Sequence, residues 1–140
     1  MSKIDLLLVE DNLEDGELTL RALKKNKLAN QITWLKNGEE AIDFLKKTHN
    51  GSLPKLILLD LKMPKVSGLD VLKFIRTNEK TKNLNVVILT SSKQEQDLFN
   101  TYELGVNSYI VKPVEFNKFI EAVKEIGFYW LMLNERPNEF

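Results

Sequence analysis

The fold is decided by an apolar run that ends in a single carboxylate, Leu56-Ile57-Leu58-Leu59-Asp60. An apolar run without polar alternation is typical of a parallel strand that is buried on both faces. Turn-forming residues precede the run at positions 50–54, so the predicted strand covers residues 55–60. Asp60 is then placed at the carboxyl end of a central strand, the edge at which open α/β sheets bind ligands.

Four further apolar runs lie at residues 4–9, 31–35, 85–90 and 106–111. Amphipathic segments alternate with them and predict helices at residues 12–26, from 37 onward, at 69–76 and at 93–104, with a long final helix after Pro113. The second run has more polar neighbours and is expected at an edge of the sheet. Strands that alternate with helices predict one α/β domain with a doubly wound, five-stranded parallel sheet and five helices.

The predicted core faces of the first and last helices follow from helical spacing. For the first helix they are Leu13, Leu18, Ala22 and Leu23. For the last helix they are Phe116, Phe119, Ile120, Val123, Ile126, Gly127 and Trp130.

Composition excludes several classes of function. The 140 residues include 20 acidic and 20 basic side chains, so the net charge is zero and nucleic-acid binding is not expected. No run is long enough to span a membrane and no secretory signal pattern is present, so we expect a cytoplasmic protein. The absence of cysteine excludes thiol chemistry, and the single His49 lies in a polar segment.

Polar residues stand at the ends of four predicted strands: Glu10, Asp11, Asp60, Thr90, Ser91 and Lys112. Because parallel strands end at the same edge of a sheet, we expect these side chains to converge. Clustered carboxylates repel one another unless a cation holds them together, and an oxygen-only set suits Mg2+. Beside such a metal, Asp60 is an oxygen nucleophile that could form an aspartyl phosphate. Lys112 and Thr90 would then bind phosphoryl oxygens.

Four blocks resemble the receiver domains of two-component response regulators: Leu7-Leu8-Val9-Glu10-Asp11-Asn12, Leu59-Asp60-Leu61-Lys62-Met63-Pro64 with Gly68, Leu89-Thr90-Ser91, and Tyr109-Ile110-Val111-Lys112-Pro113. The resemblance covers essentially the whole chain. It implies a flavodoxin-like fold with strand order 2-1-3-4-5. It also implies a stand-alone regulator that takes a phosphoryl group from a sensor histidine kinase or a phosphotransfer protein. Such a protein is not an enzyme beyond transferring the group to itself and slowly removing it.

The resemblance implies a role for each matching acidic residue. Asp60 is the phosphoacceptor, while Glu10 and Asp11 hold Mg2+, with Asp11 the preferred direct ligand. The backbone carbonyl of Lys62 is expected to complete the metal site. The Lys62 side chain is expected to affect the lifetime of the phosphoryl group, which Lys62→Asn would alter.

The remaining matches imply a switch. Thr90 is the hydroxyl that follows the phosphoryl group, and Tyr109 is the aromatic side chain whose rotamer reports the state. Lys112 contacts a phosphoryl oxygen, and the peptide bond before Pro113 is expected to be cis.

Residues 127–140 are predicted to extend the last helix and to end in a tail. This segment holds more apolar residues than one helical face can bury, and it resembles phytochrome-associated single-domain regulators, which tend to dimerise through this region. We expect a homodimer whose interface includes Phe128, Tyr129, Leu131 and Met132, and a phytochrome-type kinase as one candidate partner. Folding of the segment against its own domain stays an open alternative.

Three other functions share part of this pattern. A hydrolase of the haloacid-dehalogenase type needs a second aspartate where this chain has Lys62, and a cap domain that the chain lacks. A flavodoxin-like cofactor binder needs a phosphate-binding loop where Glu10 and Asp11 would repel a phosphate. A receiver-like scaffold that is never phosphorylated fits the same fold, and the complete set of site residues argues against it.

Overall fold

The computed structural model describes residues 4–25, 29–91 and 96–125. Within them, one parallel sheet has the order β2-β1-β3-β4-β5, with β1 Ile4–Val9, β2 Ala29–Leu35, β3 Leu56–Asp60, β4 Asn85–Thr90 and β5 Ser108–Val111. The described helices are α1 Leu13–Lys25, α2 Gly38–Lys47, α3 Gly68–Thr77, α4 Gln96–Glu103 and α5 Phe116–Glu125, with a short 3-10 turn at Asn50–Ser52. The predicted fold class, strand order and edge position of β2 are confirmed.

The central strands divide their side chains between two cores. Leu56 and Leu58 of β3 pack on the side of α1 and α5, with Leu23 and Phe119 among their neighbours. Ile57 and Leu59 pack on the opposite side, against residues of α2 and α3. Each buried leucine contributes about 2–3 kcal/mol of hydrophobic stabilisation. The uninterrupted apolar runs in the sequence therefore reflect a sheet that is covered on both faces.

Side-chain caps fix where two of the helices begin. Asn37 accepts a hydrogen bond from the backbone N–H of Glu40 at 2.8 Å and caps α2. Ser67 and Asp70 form a reciprocal capping box at the start of α3, with distances of 3.1 and 3.2 Å. Because each cap satisfies N–H groups that the helix leaves free, it stabilises the start of its helix at that residue.

The predicted core face of α1 is wrong at two positions. Leu13 and Leu18 are 58% and 43% exposed, whereas Gly16, Thr19 and Leu23 are buried. The reason lies in β2, since the Trp34 ring packs so closely on Gly16 that an added Cβ would lie 2.0 Å from it. Packing against this ring sets the rotation of the helix and turns Leu13 and Leu18 toward solvent.

The prediction for the last helix is wrong at Phe116, which is 42% exposed. Phe119 and Val123 are buried as expected, and Val114, which precedes the helix, also enters the core. The described part of α5 ends at Glu125, so the extension at 127–140 and its interface residues Phe128, Tyr129, Leu131 and Met132 lie outside the described residues. None of the described helices combines the length and apolar character needed to cross a membrane.

Arg76 of α3 ties together the loops around β4 and β5. Its guanidinium donates to the carbonyls of Lys82 and Leu84 at 3.1 and 2.8 Å, and to that of Gly105 at 2.9 and 3.2 Å. It also donates to Asn107 Oδ1 at 3.2 Å, and this oxygen accepts the Val86 N–H as well. One side chain thereby positions the segments that lead into both strands.

Candidate active site

The carboxyl ends of β1, β3, β4 and β5 surround a pocket of about 490 Å³. Its walls include all six strand-end residues singled out in the sequence: Glu10, Asp11, Asp60, Thr90, Ser91 and Lys112. Lys62 also lies in the wall, as do Leu13 and Asp15 of α1. The convergence expected from the strand pattern is therefore present.

Three carboxylates form the acidic part of this pocket. Glu10, Asp11 and Asp60 each offer one oxygen, and these oxygens lie within 4.8 Å of one another. Glu10 and Asp60 are buried, whereas Asp11 is exposed. Buried carboxylates in contact require a compensating cation, and an oxygen-only ligand set suits a hard ion such as Mg2+.

The Lys112 ammonium group contacts three carboxylates. Its Nζ lies 3.0 Å from Asp60 Oδ1, 3.1 Å from Glu10 Oε1 and 3.1 Å from Asp15 Oδ2. Asp15 was missed by the sequence analysis. The available signal was its place in the first turn of α1, four residues after Asp11, where a carboxylate can reach the same edge of the sheet.

The backbone carries Lys112 to this position from the neighbouring strand. Its N–H donates to the carbonyl of Thr90 at 2.8 Å, which places the two residues side by side at the ends of β4 and β5. The Lys112-Pro113 peptide bond is cis, as expected. Thr90 is buried in the pocket wall, so its hydroxyl lies in the same pocket as Asp60.

The ionisation of the pocket indicates surplus negative charge. Burial and the nearby charge of Asp60 raise the pKa of Glu10 to about 7, although Lys112 opposes the shift. Burial also raises the pKa of Asp60, again against the effect of Lys112. Burial alone would lower the pKa of Lys112. The hydrogen bond to Asp60 and the charges of Asp60 and Glu10 outweigh burial and raise this pKa, so the ammonium group stays charged. One ammonium group does not balance these carboxylates.

The donor set fits a divalent cation for a second reason. Glu10 Oε1 is buried and, within the described part of the chain, receives no hydrogen bond, although the Lys112 ammonium lies 3.1 Å away as an ion pair. A buried carboxylate oxygen without a hydrogen-bond donor is costly. A hard cation bound by Glu10, Asp11 and Asp60 would satisfy this oxygen and offset the surplus charge.

Two close contacts hold the strand ends in place. The Trp34 indole N–H donates to the backbone carbonyl of Glu10 at 2.9 Å, which links β2 to the end of β1. Gly68 packs so tightly on the end of β3 that an added Cβ would lie 2.2 Å from the carbonyl oxygen of Asp60. Gly68 belongs to one of the motifs in the sequence, but neither its contact with Asp60 nor the role of Trp34 was predicted.

Tyr109 lies on β5 outside the pocket wall. It is half-buried, and its ring makes an edge-to-face contact with Tyr102 at a centroid distance of 6.4 Å and an interplanar angle of 85°. It also borders a second groove of about 680 Å³ between β5 and α5. Its role as a switch stays a prediction, as does the role of the Lys62 carbonyl in metal binding.

Comparison with known proteins identifies the family. The model of the response regulator receiver domain matches residues 6–124, and the chain belongs to this family. The probable methanogenesis regulatory protein FilR2 of Methanothrix harundinacea is 41% identical over 94% of this chain and 86% of its own length. The response regulator Rcp1 of Synechocystis is 37% identical over 90% of this chain and 88% of its own length.

Solved structures agree with the fold over nearly the full chain. The bacteriophytochrome response regulator AtBRR has a TM-score of 0.82 and 48% identity, covering 93% of this chain and 96% of that one. The phosphorylated cyanobacterial phytochrome response regulator RcpA has a TM-score of 0.74 and 36% identity, with coverage of 92% and 94%. The Mn(2+)-bound form of Rcp1 has a TM-score of 0.71 and 37% identity, with coverage of 91% and 94%.

Proposed function

We propose that this chain is a stand-alone response regulator that accepts a phosphoryl group on Asp60 in a Mg2+-dependent reaction. The donor is the phosphohistidine of a sensor histidine kinase or of a phosphotransfer protein. A carboxylate oxygen of Asp60 attacks phosphorus, the bond from phosphorus to the histidine nitrogen breaks, and the imidazole leaves. The observation that carries this proposal is a buried Asp60 in contact with Lys112, beside two further carboxylates in an open pocket.

The surrounding residues have distinct tasks in this reaction. Lys112 is placed to pair with a phosphoryl oxygen, because its Nζ already lies 3.0 Å from the acceptor carboxylate. Thr90 lines the same pocket and offers a hydroxyl to a second oxygen. Glu10, Asp11 and Asp60, with the backbone carbonyl of Lys62, are the groups that would hold Mg2+. The bound ion supplies positive charge that offsets the carboxylates and the phosphoryl oxygens.

Relatives of known state support the phosphoryl and metal parts of the proposal. RcpA, which matches most of this chain, is a phosphorylated phytochrome response regulator, and Rcp1 has been obtained with bound Mn(2+). AtBRR is a bacteriophytochrome response regulator. These similarities favour a phytochrome-type histidine kinase as the donor. FilR2 and Rcp1 are covered over 86% and 88% of their lengths, which favours a regulator built from a single receiver domain spanning residues 1–140.

The output of such a regulator is carried by protein contacts. An aspartyl phosphate adds about one to two negative charges beside an acidic cluster, so the loops that bear Thr90 and Lys112 are expected to rearrange. Tyr109 lies two residues before the end of β5 and borders the outer groove, so movement of its ring would change a surface that another protein can contact. Thr90 and Tyr109 are therefore our candidates for the switch.

The acceptor assignment is tested by replacing Asp60. Incubation of the wild type with Mg2+ and acetyl phosphate is expected to add the mass of one phosphoryl group, and Asp60→Asn is expected to remove that addition. Asp43→Asn, an exposed aspartate of α2, is the matched control and should be labelled like the wild type. Intact-protein mass spectrometry measures all three. Labelling of Asp60→Asn at the wild-type level would contradict the assignment, and the absence of any adduct would leave the scaffold alternative.

We also propose that the chain forms a homodimer through the apolar segment that contains Phe128, Tyr129, Leu131 and Met132. The support is its composition and its resemblance to dimerising regulators. Light scattering of the full chain is expected to give about twice the 16.2 kDa of one chain, and Leu131→Asp is expected to shift the mass toward the monomer. A monomer at high micromolar concentration, with and without phosphorylation, would contradict the dimer.

A further inference from the structure

Asp15 has no place in the reaction as described so far, yet it holds the third contact of the Lys112 ammonium group. Its Oδ2 lies 3.1 Å from Lys112 Nζ, the same distance as the carboxylate of Glu10. Lys112 and Asp15 are 97 residues apart in sequence. Because Asp15 and the acceptor Asp60 contact the same ammonium group, Asp15 belongs to the electrostatic environment of the acceptor.

We propose that Asp15 sets the charge selectivity of the site by disfavouring phosphoryl donors of high negative charge. This inference rests on the proposed function. It assigns Asp15 as a specificity-determining residue, which acts on the incoming donor through its charge. The residue itself neither accepts the phosphoryl group nor belongs to the carboxylate cluster of Glu10, Asp11 and Asp60.

Asp15 lies close to the acceptor Asp60 and is more exposed to solvent. Asp15 Oδ2 and Asp60 Oδ1 both contact Lys112 Nζ, so they are no more than about 6 Å apart. The Asp15 side chain is 38% exposed, whereas that of Asp60 is 5% exposed. Asp15 and Asp60 line the same pocket, so a donor that enters this pocket comes close to the Asp15 carboxylate.

The position of Asp15 is fixed by its surroundings. Its backbone N–H donates to Asn12 Oδ1 at 2.8 Å, and its carbonyl accepts the Thr19 hydroxyl at 2.9 Å. The next residue, Gly16, packs on the Trp34 ring. These contacts anchor the backbone of Asp15 in the first turn of α1, and the contact with Lys112 Nζ at 3.1 Å positions its carboxylate.

The pocket carries more acidic than basic side chains, so the entry of an anionic donor is unfavourable. Its lining has four acidic residues, Glu10, Asp11, Asp15 and Asp60, and two basic ones, Lys62 and Lys112. Bound Mg2+ would offset the carboxylates that hold it, but Asp15 stands outside that cluster. One unit charge about 6 Å from another in water changes a rate by about threefold. A dianionic donor is then disfavoured by about tenfold and a monoanionic donor by about threefold.

Two small donors differ in this charge and transfer the same group. Acetyl phosphate is a dianion near neutral pH, and its phosphorus–oxygen bond breaks to release acetate. Phosphoramidate is a monoanion, and its phosphorus–nitrogen bond breaks to release ammonia, which already carries its proton. In both cases the new bond joins phosphorus to an Asp60 oxygen. Each donor is compared with itself in the variant and in the wild type, so the difference in leaving group cancels and the difference in donor charge remains.

The test compares Asp15→Asn with the wild type at saturating Mg2+, using both donors. We expect Asp15→Asn to accelerate labelling by acetyl phosphate about tenfold and by phosphoramidate about threefold, so the ratio of the two rates rises about threefold. Glu14→Gln is the matched control, because Glu14 is exposed in the same helical turn and lies outside the pocket lining. It removes the same charge and should leave the ratio unchanged.

Raising the salt concentration tests the same inference without a substitution. Screening should increase the ratio of the acetyl phosphate rate to the phosphoramidate rate in the wild type, and should change this ratio less in Asp15→Asn. An unchanged ratio in Asp15→Asn, or an equal slowing with both donors, would show that Asp15 only anchors Lys112 and would overturn the inference while phosphorylation itself stands. Absence of labelling of the wild type by either donor would overturn the proposed function as well.

Discussion

Lys112→Met is expected to reduce phosphorylation of Asp60 by about two to three orders of magnitude, the usual effect of removing a preorganised charge from the reacting group. It should also lower the free energy of unfolding by about 2–4 kcal/mol at pH 8 in the absence of Mg2+, because the cation between buried carboxylates is lost. The two carboxylates concerned are those of Glu10 and Asp60, whose side chains are 0% and 5% exposed.

The loss of stability in Lys112→Met should depend on pH. A carboxyl group whose pKa is higher in the folded than in the unfolded state binds more protons when folded, so stability falls as the pH rises between the two values. For Glu10 of the wild type this window runs from pH 4.5 to about 7. The charge of Lys112 lowers the pKa of Glu10, so removing Lys112 raises that pKa further and extends the window to higher pH. The variant should therefore be closer to the wild type at pH 5 than at pH 8.

Urea denaturation at the two pH values, with EDTA present, measures this prediction. Lys73→Met is the matched control, since Lys73 is exposed on α3 and lies outside the pocket lining. It should change the free energy of unfolding by less than about 0.5 kcal/mol at either pH. A Lys112→Met protein that loses the same stability at both pH values would show that the carboxylates of Glu10 and Asp60 do not depend on the ammonium group.

Gly68→Ala is the second substitution with a large expected effect. The added Cβ would lie 2.2 Å from the Asp60 carbonyl oxygen and 2.8 Å from Leu61 Cα. These are backbone atoms, which cannot rotate away, so the start of α3 and the end of β3 must separate. The movement also strains the hydrogen bond from the Gly68 N–H to the Leu61 carbonyl, which is 2.9 Å long.

We expect Gly68→Ala to lower the free energy of unfolding by about 2–3 kcal/mol, as overpacking in a core does. Because the backbone that moves is that of the acceptor, phosphorylation should slow by about tenfold or more. Gly51→Ala is the control, since its added Cβ would have no atom within 4 Å apart from those of Gly51 and its two chain neighbours. Denaturation and the rate of labelling by acetyl phosphate measure both effects. If Gly68→Ala and Gly51→Ala were equally stable, the close packing of Gly68 on Asp60 would be contradicted.

Much of the fold was predictable because the central strands are apolar on both faces. The run that ends at Asp60 has to lie between two layers of helices, and the strand-end residues then converge because parallel strands share an edge. Both expectations are confirmed by the sheet order and by the pocket lining. The set Glu10, Asp11 and Asp60 was thus available from spacing and residue type alone.

The missed features depend on contacts between distant parts of the chain. Leu13 and Leu18 were placed in the core because helical spacing fixes a face but not its rotation, which here follows from the packing of Trp34 on Gly16. An acidic residue in the first turn of a helix is common, so Asp15 gave no sign of its contact with Lys112. The approach of Gly68 to the Asp60 carbonyl likewise needs the path of the loop between them.

The central claim is that Asp60 carries the phosphoryl group, and direct mapping of the modified residue tests it best. The protein is labelled by acetyl phosphate with Mg2+ or with EDTA, and the acyl phosphate is then reduced with borohydride, which converts a phosphorylated aspartate to homoserine. Peptide mass spectrometry is expected to find homoserine at position 60 alone, and only in the sample with Mg2+. Homoserine at another carboxylate, or equal labelling with EDTA, would contradict the claim.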